Sequence, residues 1–145
     1  MPNWIGNNVT VSGDEQQMND FFSNCFTDGS IDFEKIIPSP KTKEECPEKY
    51  ICDCKKEGIE DVNGGNWFNW YKWRIDKWGV KWNACDGYIH RQGDFFYFAT
   101  PWGIPYGIYE KLTEMYQKLK FEVEIEDGDE PFTLIYKHRY ERARA

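Results

Sequence analysis

Phe121-Glu-Val-Glu-Ile125 alternates apolar and acidic side chains without a break. A repeat of two is the signature of a β-strand. It turns Phe121, Val123 and Ile125 inward, and puts Glu122, Glu124 and the following Glu126 on the outward face. Antiparallel sheets with one solvated face show this pattern. Upstream, Ile108, Tyr109, Leu112, Met115, Tyr116 and Leu119 form a stripe at helical spacing, and Pro105 suits a first-turn position. Before that helix, Phe95 to Phe98 is an uninterrupted aromatic run, as expected of a central strand covered on both faces. Arg91-Gln-Gly-Asp94 joins it, as a hairpin connection, to a strand at about 80–90. Downstream, a turn at Asp127-Gly-Asp129 leads to a last strand, Phe132 to Tyr136, and a basic tail.

The amino-terminal part supplies the other half of the pattern. Ile5 to Val11 reads as a strand, and Ser12-Gly-Asp-Glu15 as a capping box in which Ser12 and Glu15 satisfy each other's free backbone donors. Met18, Phe21, Phe22, Cys25 and Phe26 then share one helical face. A short apolar piece, Phe33 to Ile37, is stopped by Pro38 and Pro40. Residues 41–65 differ in kind, with twelve charged side chains, three cysteines and a closing Gly64-Gly65. That composition predicts an inserted loop with one short helix, outside the core. Strand, helix, strand–strand, helix, strand is the split βαβ order of a ferredoxin-like α+β fold. The chain is thus expected to be a single domain over 1–145. Two helices cover one face of its antiparallel sheet, a strand is added at the C-terminus, and the insertion lies at about 41–65.

Five of the seven tryptophans fall between Trp67 and Trp82, in Trp67-Phe-Asn-Trp-Tyr-Lys-Trp-Arg-Ile-Asp-Lys-Trp-Gly-Val-Lys-Trp82. On a helical wheel Trp67, Phe68, Tyr71, Ile75 and Trp78 share an apolar arc, while Trp73 lands on the polar side. The structural reading packs Trp67, Trp70, Trp78 and Trp82 over the sheet and sets Arg74 between rings, stacked on them and paired with an acid. The functional reading exposes Trp73 beside Lys72, Lys77 and Lys81, as a platform for a nucleic-acid base or an anchor for a protein partner.

Composition narrows the function classes. A net charge of −7 disfavours general binding to nucleic acid or anionic lipid. Residues 120–130 carry six acids against Lys120, whereas 131–145 carry Lys137, Arg139, Arg142 and Arg144 against Glu141. No apolar stretch reaches the length of a membrane span, and the start lacks the pattern of a signal peptide, so a cytoplasmic protein is expected. Five cysteines cannot all pair, and reduced thiols suit that compartment. Cys46, Cys52 and Cys54, with Cys25 or Cys85 as a fourth ligand, are the only metal candidates, and their spacing is not that of a tetrahedral thiolate site. Free thiols and no cofactor are expected. His90 and His138 read as satisfied strand histidines. No nucleophile, zinc-protease or phosphate-loop motif is present.

Four stretches together resemble a known family: Met1-Pro-Asn-Trp-Ile-Gly-Asn-Asn-Val-Thr-Val-Ser-Gly13, Phe33-Glu-Lys-Ile-Ile-Pro-Ser-Pro40, Trp70-Tyr-Lys-Trp-Arg-Ile-Asp-Lys-Trp-Gly-Val-Lys-Trp-Asn83 and the Pro101-Trp102 turn. They are similar to the YubB-like ferredoxin-fold domain of plasmid and bacteriophage proteins. Ile5 stands where that family commonly has cysteine, and Val80 where threonine is usual. The resemblance implies the fold and a mobile-element origin, with no assigned catalytic group.

The expectation is therefore a non-enzymatic phage or plasmid protein that binds and modulates a host protein complex. An anti-phage defence or nucleic-acid-processing system is the partner the family context suggests. The row Glu122, Glu124, Glu126 is either a solvated strand face that discourages edge pairing or an acidic surface offered to a basic groove. The alternative is a single-stranded nucleic-acid-binding module using the Trp73 face or the basic tail.

Overall fold

The computed structural model describes residues 3–62 and 64–138. Strand β1 (Trp4–Gly13) is followed by helix α1 (Glu15–Asn24) and a small hairpin of β2 (Phe26–Thr27) and β3 (Ser30–Ile31). Then come α2 (Cys54–Glu57), α3 (Trp70–Lys77), β4 (Cys85–His90), β5 (Phe95–Pro101), α4 (Tyr106–Met115), β6 (Leu119–Glu126) and β7 (Phe132–Lys137), with one-turn 3₁₀ segments at Phe33–Lys35, Glu48–Tyr50 and Arg91–Gly93. The main sheet has the order β4-β5-β1-β6-β7, antiparallel throughout. Its first four strands are in the split βαβ arrangement, and β7 is the strand added at the edge.

Alternation along β1, β5 and β6 sends Ile5, Val9, Val11, Phe96, Phe98, Phe121, Val123 and Ile125 to one side, where all are buried. Helices α1 and α4 cover that side with Met18, Phe21, Ile108, Tyr109 and Leu112. Phe21 is central. Its ring meets those of Phe22, Phe26, Phe96, Tyr116 and Phe121 at centroid distances of 5.0–5.6 Å, in edge-on or tilted geometry. One buried polar group crosses this layer. The Tyr109 hydroxyl donates to Asn7 Oδ1 at 2.8 Å, and Asn7 Nδ2 donates to Ile5 O and Thr100 Oγ1, each at 3.2 Å.

Three local expectations are corrected. Helix α1 is capped by Asp14, whose Oδ2 accepts from Gln17 N at 3.1 Å. Ser12 remains in the β1 ladder opposite Lys120, so it cannot also serve as the cap. The strand placed at about 80–90 begins only at Cys85, because Asn83 is committed elsewhere: its Oδ1 accepts from Phe33 N and Ala84 N, and its Nδ2 donates to Asp32. The insertion at 41–65 is not outside the core. Tyr50 and Cys54 are fully buried, and Ile51 bridges to Phe68.

Several buried phenols set an alkaline limit on stability. Burial, then the nearby Tyr106 and Glu110, pushes Tyr136 up to about 12 from an ordinary 10.0. Burial raises Tyr109 well above its usual value and, with Cys25 as its hydrogen-bond partner, raises Tyr116 too. A group whose pKa is higher in the folded state supports the fold fully below its unfolded value, and loses that support as pH rises through the folded one. Denaturant midpoints should hold from neutrality to about pH 9, then fall between about pH 10 and 12 as tyrosinate absorbance appears. A midpoint unchanged across that upper window would sink the assignment.

Candidate functional site

Helices cover one face of the sheet, and the other is built by the alternate residues of five strands. Register places Tyr88, Tyr97, Asn8, Glu124 and Thr133 in one row across it, and His90, Phe95, Thr10, Glu122 and Ile135 in the next. The rings therefore lie over β4 and β5, the carboxylates over β6, and short side chains on β1 between them. Tyr97 stacks on Tyr88 at 5.4 Å, and His90 on Phe95 at 4.9 Å with planes 8° apart. Gly6 makes room for this arrangement, since a Cβ there would lie 3.2 Å from the Tyr97 ring. Burial raises the Tyr97 phenol, and Glu126 and Asp86 add to it.

Glu122, Glu124 and Glu126 stand at alternate positions, about 7 Å apart along the strand. Lys120 Nζ lies 2.9 Å from Glu122 Oε1, while Glu124 and Glu126 have no ion pair among the described residues. Opposite them stand Asn8, Gly6 and Thr133, none of them charged. A depression of about 300 Å³ lies between the two halves, lined by Asn8, Thr10, Phe95, Glu122, Glu124 and Thr133.

Residues 77–139 match the family described as ferredoxin-like domain in Api92-like protein. The fold is ferredoxin-like. The matched segment is less than half of the chain, and it takes in β4, β5, α4, β6 and β7 but not the central strand β1. No curated protein matches the chain, and no solved structure does.

Within this ferredoxin-like domain Trp73 is not exposed. It is only 3% accessible, edge-on to Phe68 and Trp78 at 5.9 and 5.5 Å. The helical wheel drawn through Trp67 fails because α3 starts only at Trp70, with Asn69 as its cap. Residues 67–69 run instead as a bridge against the insertion, with Cys52 N donating to Trp67 O and Asn69 N to Tyr50 O. The apolar arc is split as a result: Tyr71 and Ile75 face water, while Phe68 and Trp78 are buried as expected. Lys72 and Lys77 are exposed on α3, but no indole platform accompanies them. Lys81 Nζ sits 4.5 Å over the Trp82 ring, which packs against Trp4. Arg74 stacks between Trp70 and Trp78 at 5.0 and 5.1 Å, with Nη1 donating to the Lys81 carbonyl rather than to an acid.

The most exposed indole among the described residues is Trp102, 61% accessible and held at φ 65°, ahead of Trp4 at 41%. Its backbone N–H donates to Asn3 O at 2.8 Å, and the residue borders a small cleft with Tyr71, Ile75, Val80 and Lys81. In sequence it reads only as part of a turn. The open-face rings are missed for a different reason. A strand covered on both faces and a strand whose exposed side is coated by its own aromatics give the same unbroken run. Strand β5 is the second kind, with Phe96 and Phe98 buried and Phe95 and Tyr97 half-exposed.

Cys52 and Cys54 sulfurs approach to 3.0 Å, and Cys54 Sγ donates to Phe68 O. Burial, with Cys54 beside it, pushes Cys52 up to about 12. All five cysteines are free thiols, and no group of three or more His, Cys, Asp or Glu among the described residues is placed to hold a metal ion. His90 Nδ1 accepts from Gly93 N. No helix of the described residues is long and apolar enough to cross a membrane. Arg139, Arg142 and Arg144 of the basic tail lie outside the described residues.

Proposed function

We propose that the chain is a non-enzymatic interaction domain that binds a basic surface of a protein partner through the open face of its sheet. The observation that carries this reading is the row of three carboxylates beside aromatic rings; among the described residues two of the three have no ion pair and no helix covers this face. Carboxylates at close spacing accelerate encounter with a cationic surface, and rings beside them supply contact area. The resemblance to YubB-like domains extends the proposal to a phage or plasmid origin, a cytoplasmic setting, and a host defence or nucleic-acid-processing complex as the target. Nucleic acid fits less well. Buried Trp73 offers no stacking platform, and phosphates are repelled by the face that does present rings.

Reversing charge at Glu122, Glu124 and Glu126 to lysine together should leave the fold intact, since all three point outward. It should weaken capture of host proteins by at least about tenfold. Affinity purification from host lysate with wild type and variant checks this, with labelled single strands titrated in parallel. Equal capture by both proteins, or wild-type binding to the strands that falls steeply with salt, would overturn the reading.

A further inference from the structure

We propose that the depression at the centre of the open face is an arginine-recognition site. This rests on the reading of that face as a docking surface for a basic protein, and names the side chain it selects. The six lining residues divide by chemistry. Phe95 is an aromatic wall on one side, two strands and about 10 Å from the carboxylates of Glu122 and Glu124. Between them the floor is short and polar, made by Asn8 and Thr10, with Thr133 closing the far edge. The carboxylate, amide and hydroxyl oxygens of this lining can accept hydrogen bonds, and its one amide donor, Asn8 Nδ2, is buried without a partner among the described residues. A guanidinium offers five N–H donors in a plane, which lets it lie against a ring face while its edge meets carboxylate and hydroxyl oxygens. An ammonium is a compact, strongly hydrated charge with three donors and uses such a wall poorly.

The two carboxylates are not equivalent. Lys120 lies 2.9 Å from Glu122 and neutralises part of its charge, whereas Glu124 has no ion pair among the described residues. Glu124 is thus the principal anchor for the incoming cation. Glu126 carries the same charge on the same strand but does not line the depression. That difference separates a built site from a diffuse acidic field.

The test uses fluorescein-labelled hexa-arginine and hexa-lysine, with binding followed by anisotropy at low salt. Hexa-arginine should bind about tenfold tighter than hexa-lysine. Glu124→Gln should weaken hexa-arginine about tenfold, and Glu126→Gln by less than about threefold. Phe95→Leu keeps apolar volume and should abolish the preference for arginine over lysine, with a melting curve confirming that the variant is folded. Equal affinity for the two peptides, with equal losses from Glu124→Gln and Glu126→Gln, overturns the arginine site and leaves the basic-partner reading standing. No binding of either peptide overturns both.

Discussion

Trp73→Ala lowers the unfolding free energy by about 3–5 kcal/mol, the range for removing a large aromatic from a packed interior. The indole is 3% accessible and wedged edge-on between Phe68 and Trp78. Trp78 in turn meets Phe33 and donates its ring N–H to Ile37 O at 3.0 Å. Truncation leaves a cavity where α3, the 67–69 segment and the Phe33–Pro38 region converge, three pieces with no helix or strand ladder tying them together. Collapse into the void would have to move Trp78, breaking that hydrogen bond, so relaxation offsets little of the loss. Chemical denaturation measures the change. A loss below about 1 kcal/mol is what a solvent-facing ring would give, and would return Trp73 to the surface.

Gly107→Ala costs about 3 kcal/mol, although alanine is favoured over glycine inside a helix by about 1 kcal/mol. A Cβ at Gly107 would sit 1.9 Å from the Lys77 carbonyl oxygen and 2.8 Å from its carbon, both main-chain atoms. The first turn of α4 rests directly on the end of α3 there, and Gly107 N donates to Trp78 O at 3.2 Å. Gly79 closes the same crossing from the other side at φ 94°, and a Cβ on it would approach Tyr106 N to 3.0 Å. Backbone cannot rotate away as a side chain can, so the clash outweighs the helix preference. Gly103→Ala is the internal control: its nearest neighbours would be 3.9 Å away, and its stability should shift by less than about 0.5 kcal/mol. Similar denaturant midpoints for Gly107→Ala and wild type would show that the helices separate at little cost.

These two sites mark where the sequence was and was not legible. The α4 stripe could be read because Ile108, Tyr109 and Leu112 lie on one helix packed against one sheet, so a single period describes them. The run around Trp73 could not. It is a segment of bridge followed by eight residues of helix, and no single period spans both. Cys46, Tyr50 and Cys54 were hidden for a related reason: three buried residues among twelve charged ones leave an average that reads as loop. The acid row on β6 was legible as an outward face, but the rings that share that face stand on strands β4 and β5.

Local chemistry alone determined β1, α1, β5, α4, β6 and β7, their order and the wet side of β6, because alternation and helical spacing depend on near neighbours in the chain. Which side of α3 is buried, and which side chains meet across the open face, were decided only by tertiary structure. Both depend on partners from elsewhere in the chain, the insertion in one case and the antiparallel register of β5, β1 and β6 in the other. Pairing free energies between such distant residues exist only once the sheet has closed.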